Sequence, residues 1–223
     1  VMYRYCHQAI ADDIQEIQRY VSEHSISYLI VDSAAPACGG EPENADATIR
    51  LFSALRSLKI TVLIIAHKTK NGTGHSPFGS VYWTNLPRSV WELQAIQTAD
   101  QNKMEWGLFH RKNNAGKLHR PIGLRGTFTS DPEHIHPDTL TIERIQVLDV
   151  PDLAQHLPVK DRILAALRGG ALDLRAITEA LDGNEETIRK TLARNPDDFV
   201  KVPTGEGNHK WGLAQGGPIV PGR

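Results

Sequence analysis

The sequence predicts an α/β protein built on a mostly parallel sheet, with a basic β-hairpin and a small helical module at its carboxyl terminus. Three observations predict it: two short apolar runs without polar alternation, 28–33 (Tyr-Leu-Ile-Val-Asp-Ser) and 61–66 (Thr-Val-Leu-Ile-Ile-Ala); a helical pattern between them; and a change to short helices after residue 158. Unalternated runs of β-branched and aliphatic residues suit strands covered on both faces, as in a parallel sheet. Each run then delivers polar groups to one edge, Asp32 from the first and His67-Lys68 from the second. Ligands of open α/β sheets bind at that carboxyl edge, so Asp32 and His67 are the first candidates for chemistry. The competing reading makes Asp32 a turn cap and His67 a strand-end histidine bonded to a backbone carbonyl.

Composition sets the outer bounds. With 223 residues, 40% of them hydrophobic and 23% charged, the chain can bury a full core and a second, smaller one. A net charge of −1 gives no global field toward nucleic acid or membrane, so contact with nucleic acid has to come from local patches. Cys6 and Cys38 are too few for a disulfide framework and lack metal-ligand spacing, which points to a reducing compartment. No apolar run approaches the ~20 residues of a membrane helix, and no secretory signal opens the chain. The expectation is a cytoplasmic protein with no membrane partner.

Ile10, Ile14, Ile17 and Val21 fall on one helical face, with Asp12, Asp13, Gln15 and Glu16 elsewhere. After Asp32, the small-residue and Gly/Pro stretch 33–44 reads as an edge loop. The next helix runs from residue 44 or 46 to 58 on Ile49, Phe52 and Leu55. Strand, helix and strand make a βαβ unit with a right-handed crossover. Beyond His67, the stretch 69–80 has three glycines, a proline and no periodicity; its 71–80 part is expected to be poorly fixed without nucleotide. A short helix at 81–86 and a strand at 88–93 follow. From 102 to 126 there are six Lys or Arg against Glu105 alone. Strands at 104–110 and 117–124, joined through Asn113-Asn-Ala-Gly116, place Arg111 and Lys112 just before a hairpin tip.

Together these residues resemble the RecA-like ATPase core of the hexameric helicase type, nearest its RepA-like and DnaB-like branch, over roughly residues 1–147. The resemblance implies a Walker B role for Asp32, holding a magnesium ion through water, with Ser33 beside the nucleotide and His67 sensing the γ-phosphate. It implies that Arg111 and Lys112 form a basic finger into the neighbouring subunit's ATP, that Lys68 and Lys70 face nucleic acid, and that the intact protein forms a ring. The P-loop of that family, G-x-x-x-x-G-K-[ST], occurs nowhere in these residues. The sequence is therefore expected to be the carboxyl-terminal part of a longer ATPase that binds ATP and Mg²⁺ only when complete.

Residues 148–158 read as a linker, 159–214 as a second domain and 215–223 as a disordered tail. Helical patterns at 161–168, 174–181 and 185–194, then strands at 199–202 and 210–213 around Gly205-Glu-Gly207, resemble a winged helix-turn-helix. Its third helix would enter a DNA major groove with Thr187, Arg189, Lys190, Thr191 and Arg194 as contacts. Nine basic and nine acidic residues between 158 and 213 leave protein docking open as well, since DNA affinity rests heavily on phosphate neutralisation. Two other classes stay open for the whole chain: a transcriptional regulator that works through the winged helix, and a non-hydrolysing scaffold on a degenerate ATPase fold.

Overall fold

A computed structural model describes residues 1–68, 77–130, 137–205 and 208–214. The chain divides into two compact units, residues 1–92 with 110–118, and residues 93–109 with 119–223.

The first unit begins with α1 (Ile14–Glu23), one turn later than the apolar spacing suggests. Ile10 is buried in the preceding turn, where its N–H donates to the Ala37 carbonyl at 3.1 Å. Strand β1 (Tyr28–Asp32) leads into α2 (Ala34–Cys38), a helical turn that the small-residue stretch did not announce. Gly39 ends it in the left-handed conformation at φ 68°, and a Cβ there would lie 2.2 Å from Ala9 Cβ, so only glycine fits. Helix α3 (Ala45–Ser57) starts where Asn44 accepts a hydrogen bond from the Asp46 N–H at 2.8 Å. Thr48, Leu51, Phe52 and Leu55, at i, i+3, i+4 and i+7, are its buried face. Strand β2 (Thr61–Ile65) runs parallel to β1. The short α4 (Tyr82–Asn85) contributes Trp83, whose ring packs edge-on against Phe52 while its N–H donates to the Pro42 carbonyl at 2.9 Å.

The expectation of a mostly parallel sheet is overturned. Among the described residues the parallel part is the β1–β2 pair alone, and the larger sheet is antiparallel, in the order β3 (Ser89–Gln97), β4 (Lys103–Asn113), β5 (Ile122–Ser130), β6 (Pro137–Ile145). The connections explain it: residues 98–102, 114–121 and 131–136 are too short for the crossovers that parallel neighbours require. Burial differs too. Leu29, Val31, Val62 and Ile64 pack into the core, but Tyr28, Ile30, Leu63 and Ile65 on the other face remain 50, 54, 45 and 42% exposed. Runs that looked doubly covered are covered on one side here.

In the second unit, Phe109 is buried among Val147, Val150, Leu153 and Leu157. The stretch expected to be a linker thus holds a 3-10 turn and α5 (Pro151–Ala154) over a small core of its own. Three helices follow, α6 (Val159–Ala166), α7 (Leu174–Leu181) and α8 (Glu185–Arg194), around Ile163, Leu167, Ile177, Leu181, Ile188, Leu192 and Phe199. Asp173 and Asn184 cap α7 and α8. Strands β7 (Phe199–Gly205) and β8 (Asn208–Leu213) form a hairpin, and Leu172 and Trp211 exchange backbone hydrogen bonds at 3.0 and 2.7 Å. These are the elements and the order of the helix-and-hairpin module read in the sequence. The 71–76 part of the loop, residues 206–207 of the turn and the tail 215–223 lie outside the described residues.

Asp161, in the first turn of α6, carries a measurable consequence. A carboxylate at a helix start is ordinarily favoured, yet burial pushes the Asp161 carboxyl up, with Asp198 adding to it and Lys160 and Arg120 opposing. A folded-state value above the unfolded one means that stability is lost as pH rises through the carboxyl range. Asp161→Asn is therefore expected to raise the urea midpoint at pH 7, with the gain fading below about pH 4. Equal midpoints for both chains at pH 7 would show that burial is not the dominant influence.

Candidate functional site

The carboxyl ends of β1 and β2 lie together because the strands are parallel and in register. Asp32 stands opposite Ile65, and His67 and Lys68 follow two and three residues later. Asp32 and His67 are exposed, Ser33 is half-buried, and the Asp32–Ser33 peptide is cis. The structure thus brings Asp32, Ser33 and His67 to one edge, as their spacing suggested. The His67 carbonyl accepts a hydrogen bond from the Phe78 N–H at 2.8 Å, and Lys68 bridges to Pro77, so this strand end is tied to the far side of the loop. Lys70 lies outside the described residues.

The residue that organises the cations beside this edge is Glu92 on β3, which sequence reasoning missed. Its side chain is 2% exposed and pairs with both Lys68 and Arg111, the latter at 2.6 Å. Burial alone would raise its carboxyl; the hydrogen bonds and positive charge of Lys68 and Arg111 outweigh that and hold it at about 2. A carboxylate with two cationic partners leaves the trio one positive charge in excess. An acidic residue inside an otherwise apolar strand, Val-Trp-Glu-Leu, was the available signal.

Arg111 and Lys112 stand just before the bend at 114–117, but neither side chain is exposed there. Strand β4 continues to Asn113, while its pairing with β5 begins only at Leu108 opposite Ile122, so both residues lie within the sheet's extension toward β3. Arg111 is 18% exposed and engaged by Glu92. Lys112 Nζ donates to the carbonyls of Thr84, Asn85 and Pro87 at 3.0, 2.7 and 2.9 Å, closing the end of α4. Next to them, Trp91 and His110 stack at 4.3 Å with 6° between planes, and His110 Nε2 shares a hydrogen bond with Ser89 Oγ at 2.9 Å.

In the second unit, Arg189, Lys190 and Arg194 are exposed on α8. Lys190 is paired with Glu186 at 2.7 Å, and Glu185 and Glu186 occupy the first turn. The basic part of the helix surface is therefore its carboxyl-terminal half. The hairpin adds Lys201, which lies 5.6 Å from the Trp211 ring centre, and Lys210.

Among the described residues no group of three or more His, Cys, Asp or Glu side chains is placed to hold a metal ion. A lone exposed carboxylate fits a magnesium ion that keeps most of its water and takes the rest of its ligands from phosphates. No helix among the described residues is long and apolar enough to cross a membrane. Comparison with protein-family models and with curated proteins returned no match.

Proposed function

We propose that the chain is the carboxyl-terminal part of an oligomeric RecA-type ATPase that acts on DNA, as replicative and plasmid or phage helicases do. The observation that carries this reading is the parallel register that sets Asp32 and His67 at one strand edge, with Lys68 and Arg111 gathered on Glu92 in the same unit. Asp32 would hold the water shell of magnesium, and His67 would approach the terminal phosphate. The amide cradle and lysine that bind the phosphates in such enzymes are not encoded in these residues, so the ATP site is completed by residues outside them. Coding sequence for an in-frame G-x-x-x-x-G-K-[ST] ahead of Val1 would support the reading; its absence from the whole protein would sink it.

Self-association into a ring belongs to the same proposal. In the arrangement seen here Arg111 reaches a neighbour's nucleotide only by leaving Glu92, and Lys112 only by giving up three carbonyls. A cytoplasmic setting is also part of the reading, supported by the unpaired thiols of Cys6 and Cys38.

For DNA, the exposed carboxyl-terminal half of α8 is the contact surface. Changing Arg189 and Arg194 to alanine is expected to weaken duplex binding about tenfold or more and to reduce the salt slope by about one per lost phosphate contact. Fluorescence anisotropy at several salt concentrations reads both. Unchanged affinity and slope would favour the docking of a protein by this module instead.

A further inference from the structure

We propose that β6 is a self-pairing edge, through which two copies of the chain join antiparallel about a two-fold axis that passes through Thr141. This inference is independent of the ATPase reading, since it rests on the second unit's sheet alone.

Among the described residues β6 is the last strand of its sheet, and residues 139–144 are all exposed. Long unprotected edges invite pairing, and proteins blunt them with proline, charged side chains, bulges or inward-pointing charge. β6 has Pro137 and a register shift at one end and Glu143 and Arg144 at the other, but Thr139-Leu-Thr-Ile142 between them contains none of these devices.

The occupant follows from the pattern. In a two-fold antiparallel pair the outward backbone groups alternate, so the axis must fall on a residue. Centred on Thr141, Leu140 of each copy meets Ile142 of the other, Thr139 meets Glu143, and no like charges are opposed. Centred on Ile142, Arg144 would face Leu140. Centred on Leu140, the ladder would run into the register shift beyond Thr139. The segment reads nearly alike in both directions, which is what an isologous contact requires.

The apolar gain is also local. Leu140 and Ile142 are 47 and 56% exposed, and Leu140 lies beside Trp106, whose ring covers Gly126 so closely that a Cβ there would sit 2.3 Å from it. Pairing extends this apolar surface across the axis and covers both exposed side chains.

Sedimentation equilibrium of the full chain at about 100 µM, where even a micromolar contact is well populated, is expected to give twice the chain mass. Leu140→Lys with Ile142→Lys should return the chain mass, because lysines then oppose each other across the axis, with the circular dichroism spectrum unchanged. In a Cys6→Ser background, Thr141→Cys should cross-link to near completion on oxidation, whereas Thr139→Cys should not, because only the central residue meets its own copy. A monomer at about 100 µM, a dimer that survives the paired lysines, or cross-linking at 139 equal to that at 141 would each overturn the proposal.

Discussion

Glu92→Ala is expected to destabilise the first unit by about 2–3 kcal/mol, below the range of roughly 3–5 for a fully buried pair because Lys68 is partly solvated. The cost arises mainly at Arg111, whose side chain, 18% exposed, would keep much of its desolvation while losing the carboxylate it shares with the more solvated Lys68. Glu92→Gln should restore only a fraction, since an amide accepts a hydrogen bond but balances neither charge. Acid makes the same point without a mutation. The carboxyl sits at about 2 when folded, against an ordinary 4.5. A depressed value means that its stabilisation is complete above 4.5 and is lost as pH falls from there toward 2. Urea unfolding at pH 7 and pH 3 checks both statements: the native chain should lose stability between them, and the Glu92→Ala chain should lose less. Parallel losses in the two chains would place the acid sensitivity elsewhere.

Much of the local structure was legible in the sequence because it is set by near neighbours. Apolar spacing places helices α3, α7 and α8 to within a residue or two; the capping hydrogen bonds of Asn44, Asp173 and Asn184 are findings of the structure. The shared edge of Asp32 and His67 followed from two similar runs and the helix between them. What was not legible depends on partners distant in the chain. Glu92 finds its cations 24 residues before it and 19 after it, and no local pattern encodes that meeting. Turn chemistry in Asn113-Asn-Ala-Gly116 places Lys112 just before a hairpin tip, yet β4 outruns β5 there and the carbonyls of Thr84, Asn85 and Pro87 capture the ammonium. β5 begins at Ile122 and not at Lys117, beyond Pro121, which cannot donate to a ladder. β6 went unassigned despite its alternation. The expected parallel sheet came from extending the β1–β2 pattern to the whole domain, whereas the later strands are joined by short connections into an antiparallel sheet of their own.

The largest expected effect concerns Asp32. On the proposed ATPase reading, in a protein that joins these residues to a P-loop, Asp32 would position the magnesium shell, and replacing it would remove electrostatic stabilisation of the transferring phosphoryl group, on which catalysis of that class almost wholly depends. Asp32 is exposed at a strand end and neither packs in the core nor pairs with a cation in the described residues, so Asp32→Asn should fold as the native chain does. The most direct measurement is the steady-state rate of ATP hydrolysis by the longer protein with and without Asp32→Asn, at saturating Mg²⁺ and DNA. A fall of at least about 10²-fold in rate, with DNA affinity unchanged, is the result predicted here; hydrolysis that proceeds at the native rate in the Asp32→Asn protein would contradict the assignment of this edge as the ATP site.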